Sequence, residues 1–169
     1  MTVIKKFLGH QLEIPDDLRY DVKQGLWGKC VDLAIAFGLS QPALILSGGV
    51  KDLDILVEEN QTVRKGDTIL FAITGKLLYL EAPVGGIIQF NRTAMEKPSM
   101  IITDPYDQGW LFLIQPDGVL DRIYQALSSP QDYLEKLKVS EGFKNPEGLK
   151  GGVSGICKAV YTGIGQQKI

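Results

Sequence analysis

Lys76 follows a glycine in Ile73-Thr74-Gly75-Lys76-Leu77 and stands between two apolar, strand-like runs, Thr68 to Ile73 and Leu77 to Ala82. A primary amine at the tip of a tight hairpin is badly placed for burial and well placed to carry an attached group into another protein. Thr74-Gly75 supplies the turn, and the flanking strands would hold the lysine as a rigid post. Gly66 lies ten positions upstream, in Val63-Arg64-Lys65-Gly66-Asp67, and Pro83 seven downstream, in Ala82-Pro83-Val84-Gly85-Gly86. Each segment alone reads as a β-turn, with Gly66 free to take positive φ in the first. Their arrangement around one lysine is what gives them meaning.

Other chemistry is poorly supported. His10 is the only histidine, leaves no Ser-His or Cys-His pairing, and reads as an exposed residue of the leading arm. Asp52, Asp54, Glu58 and Glu59 fit the spacing of no ligand set and read as a solvated strand edge. Cys30 and Cys157 are too far apart for a zinc pattern or a disulfide framework. Cys157, in Gly155-Ile156-Cys157-Lys158, reads as a packing residue, with a redox or partner-tethering role as the alternative. Phe90, Tyr106, Trp110 and Phe112 read as core. No catalytic or metal-binding residue is expected.

The elements that must position Lys76 are short and Gly-punctuated. Residues 1–25 read as an extended lead-in around Ile14-Pro15-Asp16-Asp17-Leu18-Arg19-Tyr20, and 26–116 as a β body. A small helix is expected after Ser40, with Pro42 in its first turn and Gly48-Gly49 as its stop. The strand beyond Pro83-Val84-Gly85-Gly86 alternates poorly, whereas period two after Gly109 puts Trp110, Phe112 and Ile114 on one face and Leu111 and Leu113 on the other. From Asp117 the period becomes helical: Leu120, Ile123, Tyr124 and Leu127 recur, with Asp117 placed to satisfy free amides. Ser129-Pro130 restarts a helix with Tyr133, Leu134 and Leu137 on one face and Gly142 as the stop. The expected organisation is one domain over 1–142, helices about 117–142 packing on the body, then a Gly-rich tail over 143–169 without readable regular structure.

With 169 residues, 44% of them hydrophobic, and a formal charge of −2, the chain is long enough for one core plus appendages and carries no basic stripe for nucleic acid. Neither a signal peptide nor a membrane span is visible, so a cytoplasmic, reduced protein is expected.

The frame around Lys76 resembles the swinging-arm carrier domains of the lipoyl and biotinyl type. Asn91, then Asp104-Pro105-Tyr106 and Gly109-Trp110-Leu111-Phe112, narrows the resemblance to the H-protein family of the glycine cleavage system, over about Ile14 to about Leu137. That resemblance implies a mainly β, flattened β-sandwich (a barrel-sandwich hybrid) with small flanking helices, and lipoic acid amide-linked to Lys76. It also implies a carrier that is a substrate and not an enzyme. Its partners would be glycine decarboxylase, aminomethyltransferase and dihydrolipoyl dehydrogenase, with a lipoate ligase attaching the arm. The chain departs from the pattern at three points: the lysine stands seven and not eight residues before its proline, Ile73 replaces an acidic residue, and Leu77 a small one. A one-residue loss in the returning strand, with a register change on one side of the hairpin, would reconcile the spacing. The alternatives are an H-like carrier serving another redox or sulfur-handling system, and an unmodified H-like binding module.

Overall fold

The computed structural model describes residues 1–75 and 77–149. It opens with an antiparallel hairpin, β1 (Thr2–Phe7) and β2 (His10–Ile14), turned at Leu8 and Gly9. The extended lead-in expected from Pro15 is therefore a regular element. Ile4, Phe7, Leu12 and Ile14 are buried, so the hairpin has an apolar face to cover and pairs to present it.

The body is two antiparallel sheets. Strands β3 (Arg19–Asp21), β4 (Leu26–Val31), β5 (Ala34–Leu39), β7 (Thr62–Val63), β10 (Gly86–Phe90) and β11 (Phe112–Pro116) form one, in the order β3-β4-β5-β11-β10-β7. Strands β6 (Asp52–Ile55), β8 (Thr68–Ile73) and β9 (Leu77–Glu81) form the other, in the order β6-β8-β9. Phe37, Ile88, Phe90, Phe112 and Ile114 from the first sheet meet Leu70, Ala72 and Leu80 from the second in the main core. The fold is thus a mainly β sandwich with small helices beside it. β10 alternates cleanly, Ile88 and Phe90 inward and Ile87 and Gln89 outward, against the irregular strand expected there. Trp110 also departs from expectation. It precedes β11, is half-buried and packs with Leu113 in a second cluster, while Leu111 joins Phe112 in the main core. Strand alternation holds only inside the strand, and residues 110 and 111 lie before it.

Local signals place two helices as read. In α1 (Gln41–Ser47) the Ser40 side chain accepts from the Ala43 N–H, Pro42 lies in the first turn, and Gly48 ends the helix at φ +83°. In α5 (Pro130–Leu137) Ser129 accepts from the Asp132 N–H at 3.1 Å. Other signals fail. Two one-turn helices, α2 (Arg92–Glu96) and α3 (Ser99–Thr103), interrupt the expected β body. Asp117 does not cap α4 (Leu120–Gln125), whose N-cap position is Val119 with no side-chain bond. Gly142 does not stop α5, which ends at Leu137. It lies inside α6 (Glu141–Lys144), where a Cβ would fall 2.1 Å from the Phe7 ring; the glycine answers to a close approach and not to a helix end.

The second core joins Phe7, Leu12, Ile14, Tyr20 and Trp27 to Tyr133 and Leu137 of α5. Tyr133 and Ser40 share a hydroxyl hydrogen bond of 2.6 Å, and burial pushes the Tyr133 phenol up to about 12. Packing continues past Gly142: the Gly9 N–H donates to the Pro146 carbonyl at 2.7 Å. Among the described residues no helix is long and apolar enough to cross a membrane.

Candidate functional site

The β8–β9 hairpin pairs Ile73 with Leu77, Phe71 with Tyr79 and Leu70 with Leu80. Thr74, Gly75 and Lys76 therefore connect the strands, and Lys76 itself lies outside the described residues. The inner side chains Leu70, Ala72 and Leu80 are buried, which holds the hairpin to the main core. Two further contacts brace its end. The Gly75 N–H donates to the Ser47 carbonyl at 3.4 Å, and the Lys51 N–H donates to the Ile73 carbonyl at 2.8 Å. Thr74 is only 5% exposed. The loop carrying the lysine thus rests against the C-terminal end of α1.

The base of the hairpin is held as firmly. Gly66 takes φ +94°, as its place in the turn requires, and its N–H donates to the Ala82 carbonyl at 2.9 Å. The Arg64 N–H donates to the Asp67 carboxylate at 2.8 Å. Between base and tip the register changes: Leu70 faces Leu80, but Thr68 faces Glu81, so β8 carries one residue more than β9. The bulge supplies one of the three residues by which the Gly66-to-Lys76 spacing of ten exceeds the Lys76-to-Pro83 spacing of seven; the other two arise because Lys76 is three positions after Ile73 and one before Leu77. The Gln24 side chain closes the β9 edge, accepting from the Glu81 N–H at 2.7 Å and donating to its carbonyl at 3.0 Å. An apolar groove lies beside the hairpin, lined by Leu46, Leu78, Tyr133, Leu137 and Val139 among others.

The other sequence candidates fall elsewhere. His10 is exposed at the start of β2, and Asp52 and Asp54 are exposed on the edge strand β6. Glu58 is exposed, whereas Glu59 pairs with Arg92 at 3.2 Å. No acidic, His or Cys cluster suited to a metal occurs among the described residues. Cys30 is exposed, and partial burial, then Asp121, raises its thiol pKa; Cys157 lies outside the described residues. Phe90 and Phe112 are core, but Tyr106 is half-buried and bridges two segments, donating to the Glu13 carbonyl at 2.7 Å and accepting from the Gln41 N–H at 3.0 Å. Sequence reasoning missed Ser47 and Gln24 as supports of the hairpin. Both act through the backbone of a distant segment, and nothing in their own neighbourhood announces it.

The model of the glycine cleavage H-protein family matches residues 18–140, a span that contains the hairpin, its braces and the closing β11. The chain belongs to the glycine cleavage H-protein family. A glycine cleavage system H protein from Pseudoalteromonas atlantica is 31% identical over 134 residues, covering 78% of this chain and 94% of the relative. Glycine cleavage system H protein 2 of Aquifex aeolicus is 28% identical over 131 residues, 74% of this chain and 78% of the relative. Among solved structures, a glycine cleavage system H protein from Mycobacterium marinum superposes with a TM-score of 0.64 at 27% identity, over 75% of this chain and all of that one. H proteins of this family are lipoyl carriers that shuttle intermediates between partner enzymes; they carry and do not catalyse.

Proposed function

We propose that Lys76 is the attachment site of a lipoyl arm and that the chain carries an aminomethyl group between glycine decarboxylase and aminomethyltransferase, with dihydrolipoyl dehydrogenase reoxidising the arm. The observation that supports this most is the hairpin itself: a loop containing one lysine, tied at its base by Gly66 and at its end by Ser47 and Lys51. The residues present fit such an arm. Lys76 offers the only side-chain amine between Gly66 and Pro83, and the groove lined by Leu46, Leu78, Leu137 and Val139 suits an aliphatic chain. When bound, lipoate supplies a reversible dithiol–disulfide pair at the end of a long tether. The chain's own part is positional. Leu70, Ala72 and Leu80 anchor the strands, the Gly75–Ser47 bond fixes the loop, and Gln24 fixes the β9 edge. A rigid post and a flexible arm raise the effective concentration of cargo at each partner site.

Ile73 and Leu77, 44% and 50% exposed, favour a second reading. A ligase or decarboxylase that reads an acidic and a small neighbour meets two aliphatic side chains here, which suits a carrier reassigned to another lipoate-dependent system. Incubation with a lipoate ligase and lipoate, followed by intact-mass measurement of the parent and Lys76→Arg, tests the site. A lipoyl increment on the parent alone is expected; an increment surviving in Lys76→Arg moves the site, and none with any ligase leaves an unmodified binding module. Glycine-dependent loading of the lipoylated protein by glycine decarboxylase then separates the two carrier readings.

A further inference from the structure

The β4–β5 turn consists of Asp32 and Leu33 between the paired Val31 and Ala34, with Asp32 at φ +55°. Two-residue hairpin turns are ordinarily built from Asn, Asp and Gly. Asp32 fits that rule; Leu33 does not, and it is 71% exposed. A lone exposed leucine means little, but this one stands at the end of a face that also holds a hollow. Ile35, Phe37, Phe112 and Ile114 point into the main core, so Ala34, Ala36 and Leu113 point out of the six-stranded sheet. Ala36 is nevertheless buried, because larger side chains stand around it. Lys29 and Leu113 lie beside it in the same row, and with Val31, Trp27 and Trp110 they enclose a hollow of about 240 Å³. One wall is fixed: a Cβ at Gly38 would fall 2.7 Å from the Trp27 ring, and the indole N–H donates to the Pro105 carbonyl at 2.8 Å.

Projection and hollow are related by symmetry. Leu33 and Ala36 are three residues apart along β5, and Asp32 and Lys29 three apart along β4, each about 10 Å at roughly 3.3 Å per residue. Lys29 pairs with Ala36 and Val31 with Ala34, so both separations share one midpoint. A two-fold axis through that midpoint, lying in the face and crossing the strands, puts each copy's Leu33 over the other's Ala36. The same rotation puts each Asp32 beside the other's Lys29. Both charged residues are exposed, and neither belongs to an ion pair among the described residues. A contact in which projection and hollow lie on one face closes on itself and does not grow into a filament.

We propose that the chain forms a weak symmetric dimer through this face, Leu33 seated in the hollow over Ala36 of the partner subunit and Asp32 paired with Lys29 of the partner subunit. The contact engages a handful of side chains against the roughly 20–30 residues a side of a stable interface, so dilute solutions hold the single chain. The sheet that carries the lysine hairpin turns its outer face the other way. The dimer therefore presents two such hairpins on opposite sides, with neither covered, and its formation is independent of what Lys76 carries.

Sedimentation equilibrium of the full-length protein at rising concentration tests the proposal. The parent is expected to move reversibly from 18.6 kDa toward twice that mass. Leu33→Asn keeps a residue that the turn accepts and removes the projection; association is expected to weaken about tenfold or more. Ala36→Val, which fills the hollow, is expected to act in the same direction. Lys29→Glu sets like charges together and is expected to weaken association at low salt, with the difference from the parent shrinking as salt is added. Melting in dilute solution verifies that each variant is folded. A parent that stays at 18.6 kDa at every concentration overturns the proposal, as does undiminished association in Leu33→Asn. Association lost in Leu77→Ser and retained in Leu33→Asn places the second copy on the β6-β8-β9 sheet, which overturns it as well.

Discussion

The β10–β11 pair and the β8–β9 hairpin are both antiparallel and both turn apolar side chains to the core, yet they meet water differently. In the first, Ile88 faces Ile114 and Phe90 faces Phe112 on the core side, while the opposite side mixes Ile87 and Leu113 with Gln115 and Gln89. Strands β5 and β7 flank it on both edges. In the second, Leu70 faces Leu80 toward the core, but Phe71, Tyr79, Ile73 and Leu77 make the opposite side apolar too. β9 ends its sheet. The two pairs differ in what their outward positions hold and in where they lie in the layers. Polar residues share the outward side of the first pair, whereas Ile73, Leu77 and Tyr79 leave an exposed apolar surface beside the lysine loop in the second.

Three substitutions sharpen that contrast. Phe112 is fully buried between the two sheets, so Phe112→Ala is expected to cost roughly 3 to 5 kcal/mol, read from urea unfolding. A melting temperature within a degree or two of the parent would break the assignment of β11 to the core. Asn91 ends the same strand pair with smaller stakes. Its side-chain carbonyl accepts from the Ala94 N–H at 3.3 Å, and its amide donates to the Gln108 and Trp110 carbonyls at 3.0 and 2.7 Å. Asn91→Ala leaves those groups without their partner and is expected to cost about 1 to 3 kcal/mol, with amide exchange faster over residues 92–111. Ile87, on the outward side of β10 and 42% exposed, gives the smallest effect. Ile87→Thr is expected to stay within about 0.5 kcal/mol of the parent. A loss comparable to that of Phe112→Ala would mean that this side of the sheet is covered after all.

Much of the fold was legible where the physics is local. Ser40 with Pro42, and Ser129 with Pro130, announce helix starts because a side-chain oxygen satisfies an amide two or three residues away. The bounds of β8 and of the start of β9 follow from the apolar runs and the intervening glycine, and Gly66 from a turn that needs positive φ. The closing Asp104-Pro105-Tyr106 and Gly109-Trp110-Leu111-Phe112 pointed to the family that the comparisons show. At the site, the hairpin was legible and its supports were not.

What only the tertiary structure decided involves residues far apart in the chain. Gly142 reads as a stop and serves as a space for the Phe7 ring. Asp117 has the right chemistry for a cap, but the chain enters α4 two residues later. Trp110 takes the side of Leu113 because the strand has not yet begun. Ser47 and Gln24 hold the lysine hairpin through backbone atoms of segments 28 and 57 residues away. Turns, caps and strand periods arise from neighbours along the chain and are written in residue order; a brace, a bulge or a bare face arises from which surfaces meet, and that is settled only when the layers pack.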